Sequence, residues 1–330
     1  MELVPVSNTP APAPAARKAE LSAGPATGKL VRTLAVATLV ANIAIVVTGG
    51  AVRLTASGLG CPEWPLCTAD SLVTTPEMGV HGIIEFGNRL LTFVLAAIAF
   101  GMLASVWKAR STRPDLLWLS AAALAGIPAQ AFIGGITVWT DLNPWVVGLH
   151  FIVSMVIISV AVVLVNRAWL TSGQLAEGNA PLADRPLRPL VWAIGVLTAI
   201  TVVLGVMVTG SGPHAGDHGA ARNGLDPDFI TRLHVVPVYL LVFATAVALY
   251  LVYRRTADVR LRRSLVVFAV VVLAQAVIGY VQHFLHLPIV LVALHMLGAS
   301  LLTGAAAYVV YTALSHKVPG AVYASSEARD

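Results

Sequence analysis

Eight apolar runs, each about 20 residues long, limit how this chain can fold more than any other feature, because a helix of that length crosses about 30 Å of hydrocarbon. Of the 330 residues, 57% are hydrophobic and 11% are charged, which excludes a pair of soluble domains. The sequence therefore predicts an all-α polytopic membrane protein with eight transmembrane helices. The runs lie near residues 31–52, 81–106, 115–139, 145–166, 188–209, 229–252, 264–286 and 288–313.

Basic residues are distributed unevenly between the two ends of these runs. Of the 21 Lys and Arg residues, 17 fall at one set of ends, on the same side as both termini. The positive-inside rule places that side in the cytoplasm, so we expect a multi-pass protein of a bacterial-type plasma membrane with cytoplasmic termini. The same asymmetry explains the net charge of +5, so a nucleic-acid partner is not expected. The four basic residues at the opposite ends are Arg53, Arg89, Arg222 and Arg232.

The chain also repeats itself at an offset of 145 residues. Residues 129–150 and 274–295 align without a gap, with nine of 22 positions identical, and each copy runs from Ala-Gln-Ala to Leu-His. An internal repeat of this kind predicts two similar structural halves, here two pseudo-symmetric four-helix bundles. The predicted organisation is a disordered Pro- and Ala-rich cytoplasmic tail at 1–29, an N-terminal half at 30–168, a cytoplasmic linker at 169–187, a C-terminal half at 188–315 and a cytoplasmic tail at 316–330.

Four histidines lie near the starts of the even-numbered runs: His81, His150, His234 and His295. These runs start from the outer face, so all four histidines are expected in the outer half of the bilayer. Ionisable groups inside spans are costly and suggest function. Two neutral imidazoles facing each other across a four-helix bundle suit the axial positions of a haem iron, which predicts a haem held by His234 and His295. A structural role for each histidine is the alternative.

The second run contains Glu85, the one acidic residue in the interior of any run. Its helical neighbours His81, Asn88 and Arg89 are spaced to share its face. One interpretation is a Glu–Arg ion pair that stabilises the span. The other, which we favour because His81 and Asn88 lie on the same face, is a reactive carboxylate.

Two outward loops contain further candidate functional residues. Cys61 and Cys67 lie in the first, where an oxidising compartment permits a disulfide. The pair could be a structural staple or redox-active. In the loop after the fifth run, His214, Asp217 and His218 could bind a metal, although a solvated glycine-rich loop explains them more simply.

Together these residues resemble the haem A synthase family, the CtaA/Cox15 proteins, over residues 30–315. The resemblance rests on Thr-Gly-Gly-Ala-Val-Arg-Leu-Thr at 48–55, the following Ser-Gly-Leu-Gly-Cys-Pro-Glu-Trp-Pro-Leu-Cys, Glu85 with Arg89, and the histidines at 150, 234 and 295. Members are eight-helix membrane proteins with two four-helix halves. The resemblance implies oxidation of the C8 methyl of haem O to a formyl group, by two successive hydroxylations that use oxygen from water.

The resemblance also implies roles for individual residues. Haem b is expected between His234 and His295, whose nitrogens would bind its iron, as the electron-transferring cofactor. Haem O is expected in the N-terminal half near His150, with Glu85 as the catalytic carboxylate. Arg89, Asn88 and His81 are further candidates for binding this substrate. Cys61 and Cys67 match the outward-facing cysteine pair of the family (CPEWPLC here). Beyond haem O and membrane lipid, haem O synthase and cytochrome oxidase assembly factors are the expected partners.

The sequence departs from the family in the second run. Many members have Glu-x-x-His-Arg there, whereas this chain has Asn88 before Arg89. Asparagine is a poor ligand for haem iron, which leaves His150 as the one protein ligand for haem O. His81 lies about 10 Å along the helix axis from Asn88, so we expect it to serve Glu85 or a propionate. The rival function is a two-haem membrane cytochrome between quinone and a periplasmic partner, which needs two histidines in each half. A transporter is a second rival.

Overall fold

Eight long α-helices form the protein in a computed structural model that describes residues 27–170, 186–255 and 258–314. By length and composition all eight can cross a membrane, which confirms the predicted all-α polytopic membrane fold. Within these ranges there is no β-strand, only an isolated bridge between Thr68 and Ser71. The helices are α1 (Lys29–Leu54), α2 (Gly79–Val106), α3 (Pro114–Trp139), α4 (Pro144–Ala168), α5 (Arg188–Ser211), α6 (Pro227–Arg255), α7 (Val259–Phe284) and α8 (Ile289–Leu314).

The predicted tails and linker lie almost entirely outside these described ranges. Positions 1–26, 171–185 and 315–330 lie outside the described residues. The expectations of a disordered first tail, a cytoplasmic linker and a cytoplasmic second tail therefore stay predictions.

Helix α7 begins five residues before the apolar run that predicted it. The side chain of Asp258 accepts hydrogen bonds from the backbone N–H groups of Arg260 and Leu261, at 2.8 and 3.2 Å. Such a cap satisfies backbone donors that have no partner within the helix. The first turn is rich in arginine, which lowers its hydropathy, so the apolar run does not include it.

The repeat extends to backbone conformation. Between α3 and α4, Asp141 and Leu142 have φ angles of 50° and 58°, and between α7 and α8, His286 and Leu287 have 62° and 61°. Left-handed residues other than glycine are uncommon, yet two consecutive ones occur at the same place in each copy. The residues at 129–150 and 274–295 therefore form the same helix–turn–helix.

Each half of the chain packs as a closed ring of four helices. In the first half α1 contacts α2, α2 contacts α3, α3 contacts α4 and α4 returns to α1; helices α5 to α8 follow the same order. Consequently α2 lies opposite α4, and α6 lies opposite α8. The halves meet through α1, α4, α5 and α8. The neighbour order is the same in both halves, while their symmetry as bundles stays a prediction.

The buried apolar core lies toward one end of each bundle. In the second half it is built from the early turns of α5 and α7 and the later turns of α6 and α8, including Val191, Val252, Leu265 and Val309. In the first half the early turns of α1 and α3 pack against the last turns of α2 and α4. His150, His234 and His295 lie near the starts of the even-numbered helices, at the other end of each bundle.

Candidate functional site

The second half contains two histidines on opposite helices. His234 lies on α6 and His295 lies on α8, and both side chains are half-buried. Opposed side chains on facing helices are the arrangement with which helical bundles hold cofactors.

A glycine on the adjacent helix lies against each of three imidazole rings. A Cβ atom added to Gly205 would lie 3.1 Å from Cε1 of His234, and one added to Gly279 would lie 3.2 Å from Cε1 of His295. In the first half, the Cβ-to-Cε1 distance from Gly134 to His150 would be 3.4 Å. The backbone of the adjacent helix can therefore approach each ring closely.

The nitrogens of these rings fit a haem iron. In His150 and His295 the Nδ1 atom is buried and makes no hydrogen bond with the residues the structure describes, whereas the ring of His234 lies near the backbone carbonyl of Thr201. Buried polar atoms without partners are costly, and metal-ligating imidazoles use one nitrogen for the metal and the other as a donor. His234 and His295 are therefore the candidate residues of the second half for holding a haem.

The metal interpretation of the loop after α5 gains no support. His214 uses Nε2 to donate to the carbonyl oxygen of Leu287 at 3.1 Å, which ties this loop to the turn before α8. Among the described residues, no group of three or more His, Cys, Asp or Glu side chains could hold a metal ion.

Glu85 in the first half is buried, with 6% of its surface exposed, and is held from two sides. Its Oε1 accepts hydrogen bonds from Nε and one terminal nitrogen of Arg89, at 3.2 and 2.5 Å. Its Oε2 accepts a 2.7 Å hydrogen bond from the backbone N–H of Cys61. The predicted ion pair is therefore present. The loop at Cys61 also binds the carboxylate, a contact that helical spacing does not indicate.

The loop between Cys61 and Cys67 is closed by a disulfide. The guanidinium of Arg89 donates to three of its carbonyl oxygens, those of Cys61 (3.0 Å), Glu63 (3.0 Å) and Leu66 (2.9 Å). Both cysteines are fully buried. Arg89 thus connects the carboxylate of the span to the loop that covers it.

Trp64 fixes the same loop onto α3. Its ring packs edge-on against Trp139 with 5.2 Å between the ring centroids, and Nε1 of Trp139 donates to the Trp64 carbonyl oxygen at 3.1 Å. A Cβ atom on Gly135 would lie 2.5 Å from the Trp64 ring, so this close approach requires glycine.

The other two candidate site residues on α2, His81 and Asn88, form hydrogen bonds with residues other than Glu85. Nδ1 of His81 is 2.9 Å from the hydroxyl of Ser57, and Oδ1 of Asn88 accepts a 2.8 Å hydrogen bond from Thr48. Among the described residues, no hydrogen bond joins His81 or Asn88 to Glu85, or any of the three to His150. Thr48 and Ser57 belong to the motifs at 48–67, but their contacts with Asn88 and His81 are not predicted by the helical spacing of α2, because they lie on another segment.

An open cleft of about 330 Å³ lies between the first outward loops of the two halves. Gly60 and Pro62, which flank Cys61, line it on one side, and Asp217 and His218 line it on the other. The cleft therefore adjoins the loop segment whose backbone holds Glu85. The other lining residues are Ala56, Leu59, Met78 and His81.

Arg53, at the end of α1, joins the halves on this side. Its Nε donates to the carbonyl oxygen of His214 at 2.7 Å, and a terminal nitrogen donates to that of Thr209 at 3.0 Å. The outward loops of the two halves thus form one connected surface.

Known proteins resemble this chain in sequence. The COX15-CtaA family, described as "Cytochrome oxidase assembly protein", matches residues 32–216, more than half of the chain. A protein named Heme A synthase from Listeria monocytogenes is 24% identical over 261 residues, which cover 76% of this chain and 85% of the relative.

Two shorter matches carry the same name. The relative from Staphylococcus epidermidis is 27% identical over 162 residues, 48% of this chain and 52% of its own length. The relative from Exiguobacterium sibiricum is 28% identical over 166 residues, 50% of this chain and 54% of its own length. The chain thus spans about half the length of these two relatives. The family match includes the disulfide loop, Glu85, Arg89 and His150, so the chain belongs to the COX15-CtaA family of cytochrome oxidase assembly proteins.

Proposed function

We propose that this protein synthesises haem A by oxidising the C8 methyl of haem O to a formyl group. The observation that carries the proposal is the difference between the two halves. The second half has a pair of opposed histidines on α6 and α8. The first half has His150 on α4 and, on the opposite helix α2, the buried carboxylate of Glu85. The relatives named Heme A synthase support this assignment.

Oxidation of the methyl group takes two hydroxylations with the same stoichiometry. Each hydroxylation adds the oxygen of one water molecule and releases two protons and two electrons. The geminal diol formed by the second hydroxylation loses water to give the formyl group. His234 and His295 would hold haem b, which would supply one-electron transfer between the substrate and an external acceptor. The protein must therefore position a methyl group, admit water and accept protons.

Glu85 is the base in this account. A carboxylate offers about four acceptor positions, and three are occupied by two Arg89 nitrogens and the Cys61 N–H. The backbone N–H of Gly60 also lies near the carboxylate, and we expect the reacting water to bind beside this cluster. From there the carboxylate takes the proton of the attacking water and stabilises positive charge that develops at the methyl carbon.

Arg89 and the disulfide loop keep this base in place. Arg89 neutralises the buried carboxylate and binds three loop carbonyls. The Cys61–Cys67 pair is structural in this account, because the loop it closes supplies the backbone N–H that binds Oε2. We expect water to reach the carboxylate from the adjoining cleft, which Gly60 and Pro62 line.

His150 is the protein ligand for haem O. Its Nδ1 is buried without a hydrogen bond to any residue that the structure describes, and a glycine lies against its Cε1. His295 has the same two features. Asn88 instead binds Thr48, and His81 binds Ser57 at the loop above Glu85. This engagement of Asn88 disfavours the two-haem cytochrome, which would need a second ligand in this half.

The distribution of basic residues supports cytoplasmic termini and a site near the outer face of a bacterial plasma membrane. Haem O synthase is the enzyme class expected to supply the substrate. Cytochrome oxidase assembly factors are the expected recipients of the product.

Conversion in isotopically labelled water tests the proposal. Purified protein, supplied with haem O and an electron acceptor, is expected to form first a hydroxymethyl haem and then haem A. In ¹⁸O-water the hydroxymethyl product should carry the label, whereas ¹⁸O₂ should leave it unlabelled. Absence of conversion, or label derived from O₂, would overturn the proposal.

A further inference from the structure

One repeated contact has no role in the mechanism above. Nε2 of Gln130 on α3 donates to the backbone carbonyl oxygen of His150 on α4 at 3.0 Å. Nε2 of Gln275 on α7 donates to that of His295 on α8 at 2.7 Å. Each glutamine precedes its histidine by 20 residues. The repeat thus preserves the contact together with the residue types.

The same segment brings a glycine to the imidazole. Gly134 and Gly279 come four residues, about one helical turn, after the glutamines and lie against Cε1 of His150 and His295. The turn that returns the chain to the histidine has the same left-handed conformation in both copies. Each copy therefore fixes its histidine at two points, the backbone carbonyl and the ring.

The surroundings of the two glutamines differ. In the first half Nε2 of Gln130 also lies 2.5 Å from the hydroxyl of Ser154, which itself donates to the His150 carbonyl oxygen at 3.0 Å. In the second half, a Cβ atom on Gly298 would lie 1.8 Å from Oε1 of Gln275, so a larger residue at position 298 would displace the amide from its present position. The glutamine–histidine contact is thus the same in both halves, although the residues around the glutamine differ.

The glutamines also carry an unused acceptor. Oε1 of Gln130 and of Gln275 is buried without a hydrogen bond among the described residues, as is Nδ1 of His150 and of His295. Each residue pair therefore contains a buried acceptor and a buried ring nitrogen, the two groups that a metal-bound imidazole uses in its outer hydrogen bond. A glutamine needed for packing alone would not require either polar atom.

We propose that Gln275 and Gly279 are positioning residues for the haem ligand His295, and that Gln130 and Gly134 are positioning residues for the haem ligand His150. Each pair sets the position of its histidine along the bundle axis and the orientation of the imidazole ring. This inference rests on the proposed function, since it assumes that the two histidines bind haem. The glutamine holds the ligand's helix, and the glycine lets the ring turn toward the bundle interior. Outer-shell partners of this kind alter metal affinity about 10- to 100-fold when they are removed.

Gln275→Leu in the haem-loaded protein tests this inference, with Gln282→Leu as the matched control. Gln282 lies on the same helix, seven residues later, and makes no side-chain hydrogen bond to His295. We expect Gln275→Leu to retain a bis-histidine haem but to shift its low-spin electron paramagnetic resonance signal and midpoint potential. Its haem should dissociate about 10- to 100-fold faster, and Gln282→Leu should match the wild type.

Two further variants keep the inference testable if Gln275→Leu fails to fold. Gly279→Ala should shift the same signal, because its Cβ would lie 3.2 Å from Cε1 of His295. Gln130→Leu should raise KM for haem O more than it lowers kcat and leave the second-half haem unchanged. An unaltered spectrum, potential and dissociation rate in Gln275→Leu, or in Gly279→Ala if that is the variant that folds, would overturn the inference. Wild-type protein without haem, or with haem that survives His234→Ala and His295→Ala, would instead contradict the proposed cofactor site.

Discussion

The backbone N–H of Cys61 donates a 2.7 Å hydrogen bond to Oε2 of Glu85, which joins an outward loop to the buried carboxylate of a transmembrane helix. Arg89 strengthens the connection because it binds the other carboxylate oxygen and the loop carbonyls together. The carboxylate is thus fixed by a residue 24 positions earlier as well as by its neighbour one turn later. Substitutions at these contacts should affect loop order and catalysis together.

Arg89→Lys should loosen the disulfide loop. A lysine ammonium has no planar fork with which to bind both the carboxylate and three carbonyls, and hydrogen bonds to charged groups contribute about 1.5–3 kcal/mol each. We expect a membrane-impermeant thiol to reduce the Cys61–Cys67 disulfide at least about tenfold faster. Arg222→Lys is the control, because Arg222 binds Ala220 and Pro213 in the other half. Equal reduction rates in Arg89→Lys and wild type would contradict the role of Arg89 in holding the loop.

Substitution of the histidines should distinguish the role of the first half from that of the second. His234→Ala and His295→Ala are each expected to remove the low-spin haem, since each leaves one axial position empty. His150→Ala should keep that haem and lose conversion of haem O. His283→Ala provides the control, because His283 lies exposed on α7 and packs against Phe284. Haem-to-protein ratios from pyridine haemochrome spectra measure the outcome, and haem loss in His150→Ala would contradict the division of roles.

Asn88→His should add a second axial ligand to the first half. Asn88 lies on α2, opposite His150 on α4, and now binds Thr48. The variant is expected to hold added haem O in a low-spin state with a lower dissociation constant. Thr48→Val controls for loss of the existing hydrogen bond. Optical titration that finds the same affinity and spin state in Asn88→His and wild type would show that residue 88 does not reach the substrate.

Gly148→Ala should destabilise the contact between the halves. A Cβ at this position of α4 would lie 2.5 Å from Cγ1 of Val206 on α5, and overpacking of this kind costs about 1–3 kcal/mol. Adding Val206→Ala should recover most of the loss, because it removes the atom that clashes. Thermal unfolding in detergent compares the single and double variants. Purely additive losses would mean that the two residues do not limit the approach of the helices.

The sequence was sufficient to predict the eight helices and the repeat. Apolar runs placed most helix ends within two residues of those observed, since burial in lipid imposes a simple length and composition. The early start of α7 was missed because a polar cap and arginines supply its first turn. The Ala-Gln-Ala repeat was visible, but its contact with the histidine carbonyl became apparent only when α3 and α7 were packed against their partners.

The site was predictable only where helical spacing determines it. The pair formed by Glu85 and Arg89 follows from their four-residue separation. Their contacts with the loop at 61–67 depend on how that loop folds over the bundle, which a helical pattern does not encode. For the same reason the hydroxyls of Ser57 and Thr48, which bind His81 and Asn88, could not be assigned from the face of α2.

Glu85→Gln tests the central claim most directly, because its amide can still accept from Cys61 while it lacks the charge and basicity of the carboxylate. Pigments extracted from cells that depend on this protein, and the haem content of the purified variant, should be measured from the same culture. We predict that haem O accumulates, that haem A falls at least about 100-fold, and that one low-spin haem per chain remains bound. Haem A at the wild-type level, or loss of the bound haem, would contradict the account.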